Sequence, residues 1–391
     1  MKKLRVGLVG LGNIGKTHLL YMKDMDKVEL AGVCDVDEQK AAFFAKESGA
    51  RAYLDYEDML ERETLDAVIV AVPHYDHPKV AIEAFRRGIH VLCEKPIAVH
   101  VNDALTMLAA YNEARKQQSD LQFGLMFQER TLAHYRTIKN ILDGGELGKL
   151  VRATWINTTM FRSQAYYNSG GWRATWAGEG GGILVNQCPH TLDMYQWLFG
   201  MPQTISAHAH IGKYHDIEVE DEVTAYFEHK EGMIGHLIVS TAESPGTNRL
   251  EIVGENGKLV YENDKLVFYR NSQSMLTFLR ETNLSFGQVE NESREIPIPD
   301  TEPTGHRVVA EKFFNRILDG QGELTAYGHE GVHSVMLANG IMLSSFSRAA
   351  VSVPIDANAY EAKLKSLIAG SKFVKTVQTD VKVDMEDSFG R

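Results

Sequence analysis

A glycine-rich turn between a short apolar run and a helix-like run constrains this chain more than any other feature. Val9-Gly10-Leu11-Gly12-Asn13-Ile14-Gly15 follows the apolar run Leu4–Val9 and leads into a helix expected over Gly15–Lys23. In such a GxGxxG turn, Gly10 permits the tight bend, Gly12 lets backbone approach a pyrophosphate, and Gly15 allows close helix–strand contact. Asn13 and Ile14 stand at the helix start, whose free N–H groups suit phosphates. A second strand, Val28–Cys34, ends at Asp35, 20 residues past Gly15. An acidic side chain there accepts a ribose 2′-hydroxyl and disfavours a 2′-phosphate, so NAD is expected over NADP.

The same residues also spell GxxxxGK[ST], since Lys16 and Thr17 follow Gly15. That pattern belongs to nucleoside triphosphatases. Two features oppose it. The strand Ala67–Val72 runs into Pro73 and not into a magnesium-binding Asp. The helix between the first two strands is also short for a P-loop domain.

The pattern beyond the turn implies two domains in a chain of 391 residues. Up to residue 126, strand-like runs (also His90–Cys93 and Gln122–Met126) alternate with helical ones (Glu38–Ser48, Lys79–Arg87, Asn102–Lys116). This order gives a parallel Rossmann sheet, the α/β part of the fold. From 127 to 371 the runs are longer and turn-linked: Val151–Thr158, Ile205–His210, Val223–Phe227, Met233–Ser240, Leu250–Val253, Lys258–Glu262 and Lys265–Tyr269. They predict an α+β domain with a mainly antiparallel open sheet, to which helices His134–Leu142, Arg307–Leu318 and His329–Ala349 belong. Residues 372–391 read as a polar surface tail.

Charge and cysteine usage narrow the class. Net charge is −11, with no basic face for nucleic acid or anionic membrane. Cys34, Cys93 and Cys188 form no CxxC pair, so neither disulfides nor a thiolate zinc site is expected, and a cytoplasmic setting is. His329-Glu330-Gly331-Val332-His333 satisfies HExxH, but no third ligand is evident, and no metal is assigned.

A second constellation is Cys93-Glu94-Lys95-Pro96. A Lys at the carboxyl end of a short buried strand faces the ligand crevice of a parallel sheet. With Gly10, Gly12, Gly15, Asp35, Val72-Pro73, His77 and Glu94-Lys95-Pro96, the chain resembles the glucose–fructose oxidoreductase/inositol dehydrogenase (Gfo/Idh/MocA) family over nearly its whole length. The resemblance implies that Lys95 contacts substrate or nicotinamide and that Val72, Pro73, His74, His77 and Glu94 border the cofactor. Family members often carry Asn where this chain has His74.

The third constellation, Gly180-Gly181-Gly182 through Asp193, reads as a glycine loop entering a helix. Asn186 is the expected cap, which would place Asn186, His190 and Asp193 on one helix face, with Trp197 continuing the stripe. The segment resembles the family's second-domain signature, and His190 falls on its catalytic His. Asn186 stands where Asp is usual and cannot serve as a base. With Trp172-Arg173 upstream, it resembles a branch containing levoglucosan dehydrogenase and UDP-N-acetylglucosaminuronate 3-dehydrogenase.

The function expected is NAD-dependent oxidation of a ring hydroxyl of a sugar or cyclic polyol. His190 would act as base and Lys95 as alkoxide stabiliser, or the reverse. Asn186, Trp172, Arg173, Tyr167, Gln128 and Asp193 would contact substrate. Within the loop 161–176, Arg162 or Arg173 suits a carboxylate, while Tyr166 and Trp176 add aromatic faces. Arg130 and His306 are further pocket candidates by position. A homodimer or homotetramer follows from family analogy, and a non-catalytic NAD- and sugar-binding sensor is the other reading.

Overall fold

The computed structural model describes residues 3–299 and 302–378. The chain runs β1 (Leu4–Val9), α1 (Asn13–Met22), β2 (Val28–Cys34), α2 (Glu38–Ser48), β3 (Arg51–Tyr53), α3 (Tyr56–Arg62), β4 (Ala67–Val70), α4 (His77–Arg86), β5 (His90–Cys93), α5 (Val101–Arg115) and β6 (Phe123–Leu125). The second part comprises α6 (Ala133–Asp143), β7 (Leu150–Asn157), α7 (Gln164–Asn168), α8 (Pro189–Phe199), β8 (Thr204–Ile211), β9 (Glu220–Glu228), β10 (Ile234–Ser240), β11 (Asn248–Gly254), β12 (Gly257–Glu262) and β13 (Lys265–Asn271). It ends with α9 (Met275–Glu281), β14 (Asn291–Ile296), α10 (His306–Asp319), α11 (Gly331–Ser347), β15 (Val351–Ser352) and α12 (Ala357–Gly370).

The first sheet has the order β3-β2-β1-β4-β5-β6, and every neighbouring pair is parallel. This is the order of a dinucleotide-binding fold, with its ligand crevice beyond the carboxyl ends of the strands. It removes the triphosphatase reading. The Lys16 ammonium lies 6.0 Å from the Phe44 ring of α2. All four β4 residues are fully buried, as expected of a central strand covered on both faces.

The glycine turn is built as its spacing implies. Gly10 has φ +95°, and a β-carbon on it would fall 2.3 Å from the Ala71 carbonyl oxygen. One on Gly15 would fall 2.1 Å from the Gly10 carbonyl oxygen, whereas one on Gly12 would meet nothing within 4 Å. Protein packing therefore requires Gly10 and Gly15, while Gly12 opens onto the crevice.

The second sheet, β14-β13-β12-β11-β7-β10-β9-β8-β15, is antiparallel except where β7 meets β10. One face is dry. It carries Trp155, Phe227, Leu237, Leu250 and Phe268 and packs on Ile138, Leu192, Tyr195 and Ile341 from α6, α8 and α11. Strands β7, β9, β10 and β11 alternate buried with less buried residues, the pattern of a one-sided sheet.

The late helices return to the first sheet, which linear order did not indicate. Val309, Ala310, Phe313 and Phe314 of α10 pack with Leu8, Leu11 and Leu19. Val332 and Val335 of α11 join the opposite face of that sheet. A buried ion pair clamps the junction. The Arg130 guanidinium donates to Asp193 at 2.8 and 2.6 Å and to Glu330 at 2.6 Å. Asp193, expected to contact substrate, and Arg130, a pocket candidate by position, are instead committed to this ion pair. Glu330 is also held by the Tyr327 N–H at 2.7 Å. Among the described residues, no helix is long and apolar enough to cross a membrane.

Two stability measurements follow. Gly15→Ala should lower the thermal midpoint by an amount equivalent to about 1–3 kcal/mol, as overpacking does, while Gly12→Ala leaves it unchanged. Asp193→Ala strands a buried guanidinium and should cost about 3–5 kcal/mol in denaturant unfolding. A loss under 1 kcal/mol would remove its clamping role.

Candidate active site

At the head of α1 no side chain caps the helix, and its first turn carries no acidic residue. Its free N–H groups and the open space at Gly12 fit a pyrophosphate. Asp35 stands beside them at the tip of β2. Its two oxygens accept the Leu11 N–H at 2.8 Å and the Asp37 N–H at 2.9 Å. Each carboxylate oxygen keeps a lone pair for a sugar hydroxyl.

The β4 and β5 corners lie next along the crevice. His77 braces them: Nδ1 is 2.7 Å from the Pro96 carbonyl oxygen and Nε2 is 2.9 Å from that of Val72. With both nitrogens engaged and the ring buried, His77 shapes the crevice wall without reaching into it. His74 is also buried, 3.4 Å from the Glu179 carbonyl oxygen, with its ring edge-on to Trp172 at 5.8 Å. Burial, together with His77 and Lys95, pushes its pKa well below the ordinary histidine value.

Glu94 and Lys95 form the electrostatic centre. One Glu94 oxygen lies 2.9 Å from His18 Nε2, and the other accepts the Lys95 N–H at 3.2 Å. Burial pushes the Glu94 carboxyl up, but the His18 hydrogen bond and the charges of His18, His306 and Lys95 outweigh it and hold it at about 2. His18, 76 residues distant in sequence, was not singled out from sequence. It sits on α1 facing the β5 corner, a placement that local pattern does not reveal.

Lys95 Nζ crosses to the second domain and donates to the Asn186 carbonyl oxygen at 2.7 Å. Burial lowers its pKa, opposed by Glu94 and Glu179 and reinforced by Arg162 and Arg173. Asn186 is not the helix cap that its position suggested. The Cys188 N–H bonds to the Ile183 carbonyl oxygen at 2.7 Å, closing a turn, and α8 starts at Pro189 with Cys188 as cap. Pro189 takes the first helical position, where no N–H is needed. Asn186 therefore shares no helix face with His190. Its amide donates to Glu179 and, at 3.3 Å, to the Tyr166 hydroxyl.

The turn is held from below by Glu220, which accepts the Gly182 and Leu184 N–H groups at 2.9 and 3.0 Å. His190 follows in the first turn of α8, with Nε2 at 2.9 Å from Gln128 Nε2. His190 Nδ1, Gln128 Oε1 and Gln187 Oε1 are buried without a partner. Folds leave such atoms chiefly where water or a ligand answers them. Burial, followed by the charge of Lys95, pushes the His190 imidazole well below its ordinary pKa.

The aromatic loop divides differently from expectation. Tyr167 turns inward, almost fully buried, and donates to Thr241 Oγ1 at 2.9 Å. Trp176 is likewise core, edge-on to Phe346. Tyr166 takes the place expected of Tyr167. Its hydroxyl receives Arg173 Nη1 at 2.8 Å and Gln187 Nε2 at 3.1 Å. The Arg173 guanidinium lies 4.7 Å from both the Tyr166 and Trp172 rings. Glu179, absent from the expected set, binds the Ala174 N–H at 2.5 Å as well as Asn186. His306 lies near His18, ring centres 6.3 Å apart, behind the Glu94 corner.

Comparison with known proteins accords with this arrangement. Residues 4–120 match a model described as an oxidoreductase family with an NAD-binding Rossmann fold, and residues 135–260 match the GFO/IDH/MocA C-terminal domain. The glucose-6-phosphate 3-dehydrogenase of Bacillus subtilis is 23% identical over 277 residues, 67% of this chain and 74% of that protein. The WlbA dehydrogenase of Chromobacterium violaceum, solved with NADH and UDP-GlcNAcA, superposes with a TM-score of 0.78 at 27% identity, covering 91% of this chain and 97% of that one. Levoglucosan dehydrogenase, solved with NADH and levoglucosan, shares the fold with a TM-score of 0.75 at 21% identity, covering 90% and 100%. The chain belongs to the GFO/IDH/MocA family of NAD-binding oxidoreductases, dehydrogenases of sugars and polyols.

Proposed function

We propose that this protein oxidises a ring hydroxyl of a pyranose carrying a negative charge, at C3, with His190 as the base and Lys95 as the stabilising cation. The observation that carries the reading is the Lys95–Asn186 contact, which brings the β5 corner to the turn just ahead of His190. The choice of C3 draws on the named activity of the Bacillus relative.

Gly12, the head of α1 and Asp35 would hold NAD, and bound NAD supplies the hydride acceptor. The remaining work falls to the chain's own groups. The His190 imidazole, neutral at pH 7, takes the hydroxyl proton. Lys95 keeps its ammonium between Glu94 and Glu179 and faces the oxygen on which charge develops. For His190 to take that proton, the Gln128 amide turns its oxygen to the ring and accepts the Nε2–H, which leaves Nδ1 with the lone pair that receives the proton. Asn186 and Gln187 orient neighbouring hydroxyls, and Trp172 and Tyr166 give the ring an apolar face.

The preference for an anion rests on Arg173. It is stacked between two aromatic rings and makes no ion pair among the described residues. A half-buried guanidinium in that state is a receptor for carboxylate or phosphate. Uronates, sugar phosphates, free pyranoses, anhydro-sugars and inositols, compared by reduced-nicotinamide absorbance, test the reading. Charged pyranoses should give the highest kcat/KM, and an equal response to neutral sugars would sink the anion preference.

Kinetics should separate the two central roles. Lys95→Met and His190→Ala should each lower kcat about 10²-fold or more while NADH binding stays within a few-fold. Because Lys95 helps depress the His190 pKa, the acid limb of kcat/KM should lie below the ordinary histidine value of about 6.5. In Lys95→Met that limb should move to higher pH. A limb that stays in place would show that His190 does not set it.

A further inference from the structure

Past α12 the chain stays on the molecule, where composition suggested a surface tail; residues 379–391 of that expected tail lie outside the described residues. Ser371 Oγ donates to Glu218, whose other oxygen accepts the Trp176 N–H at 2.9 Å. Lys375 Nζ then donates to the Tyr167 carbonyl oxygen at 2.6 Å, and the Gln378 N–H to that of Asn168 at 2.9 Å. Between them Val377 lies against Gly171, its methyl 3.9 Å from where a β-carbon would sit. The loop from 164 to 176 is thus held at its start, its middle and, through Glu218, its end.

The chemistry of the first anchor explains why a lysine stands there. α7 has five residues, and a helix that short is unstable alone. The carbonyls of its last turn have no partners within the helix and carry the negative end of its dipole. Lys375 and the Gln378 N–H answer two of them. Lys375 is half-buried, and burial lowers its pKa while nearby Glu179 opposes that shift. Tyr166 lies in α7, and Trp172 and Arg173 follow directly after Gly171. The three side chains that line the crevice from this loop therefore hang between points that the strap fixes.

We infer that residues 371–378 are a strap that sets the substrate loop, with Lys375 as a positioning residue that governs sugar affinity without touching sugar or cofactor. The inference rests on the proposed function in taking this loop as the substrate wall. It assigns the strap to the KM side of the kinetics, since Lys95, His190 and the NAD-binding turn lie on other elements.

The test uses the full chain with Lys375→Ala and Lys375→Arg. In Lys375→Ala, amide exchange across residues 164–173 should quicken at least about tenfold, because the local opening free energy falls. KM for the sugar should rise about tenfold with kcat and NADH binding within twofold. Lys375→Arg keeps a cationic donor and should restore both. Should Lys375→Ala lower the global melting temperature, Gln378→Pro removes the second anchor's N–H alone and should give the same local quickening. Unchanged exchange in 164–173 in both variants would overturn the strap. Faster exchange with unchanged KM would overturn the positioning role. The exchange reading needs no turnover, so it stands apart from failure to find a sugar that the parent enzyme oxidises.

Discussion

The site depends on placing one ammonium, that of Lys95, at a closed junction between two domains. A charge taken out of water costs several kcal/mol unless partners answer it. Here the answer comes in tiers. Glu94 and Glu179 supply opposite charge from the two domains, and the Asn186 carbonyl accepts directly. Glu94 is itself buried and leans on His18, which reaches the Tyr21 hydroxyl. Each tier needs the one beneath it, so the Glu-Lys-Pro corner holds its geometry only as part of a network reaching into α1. That explains how a lysine at a strand end, usually mobile, becomes a fixed element held against the Asn186 turn that precedes His190.

Much of the first domain was legible in the sequence because its determinants are local. The glycine spacing, the terminal Asp35 and the continuous apolar β4 each act within a few residues, and each expected strand is present with ends shifted by two residues or fewer. The short edge strand β3 and helix α3 were missed, since Arg51–Tyr53 has neither length nor apolar pattern. The second domain yielded β7 to β13 for the same reason, through alternation, but not the edge strands β14 and β15, of which the first is almost wholly exposed and the second has two residues. The side chains of its site were harder. Asn186 sits in a turn closed by Cys188 and Ile183, and Pro189, not Asn186, marks the helix start. A loop has no period, so nothing in the pair Tyr166-Tyr167 tells which ring turns inward. Asp193 looked available because its partner Arg130 lies 63 residues away. Glu179 could have been suspected as a lone charge before a glycine triplet, a place where a carboxylate can collect backbone N–H groups.

The two domains contribute different mechanical qualities. The first offers a crevice braced from behind: His77 ties two strand-end loops together, and Gly10 and Gly15 press strand, turn and helix into contact. The second offers one rigid piece and one adaptable piece. The rigid piece is the glycine triplet, pinned by Glu220 so that His190 enters α8 at a set point. The adaptable piece is the loop bearing Tyr166, Trp172 and Arg173, fixed by polar anchors at intervals and not by a continuous core. Chemistry at the reacting carbon tolerates little displacement, whereas recognition of the rest of a sugar varies among enzymes of one fold. On the proposed reading, catalysis falls on the pinned segment and recognition on the anchored loop, so the second can change without disturbing the first.

Charge then gives the loop a definite bias. The protein carries a net −11, which as a diffuse field disfavours an anionic substrate. That field is screened beyond about 8 Å at physiological salt. Closer in, the balance is set by neighbours: Arg162 and Arg173 act on Lys95, Arg173 and Lys95 act on Glu179, and Lys375, outside the crevice, has Glu179, Asp216 and Glu218 near it. Glu94, held by His18, and Glu179, held by Asn186 and the Ala174 N–H, answer Lys95. Arg173, flanked by the Tyr166 and Trp172 rings, pairs with no carboxylate within salt-bridge distance among the described residues, and on the proposed reading it is the cation that an anionic substrate would meet. On the proposed reading, a neutral sugar would leave that guanidinium without a carboxylate or phosphate partner. An acidic sugar would supply that partner, so the proposed anion preference rests on Arg173 and not on the charges that house Lys95.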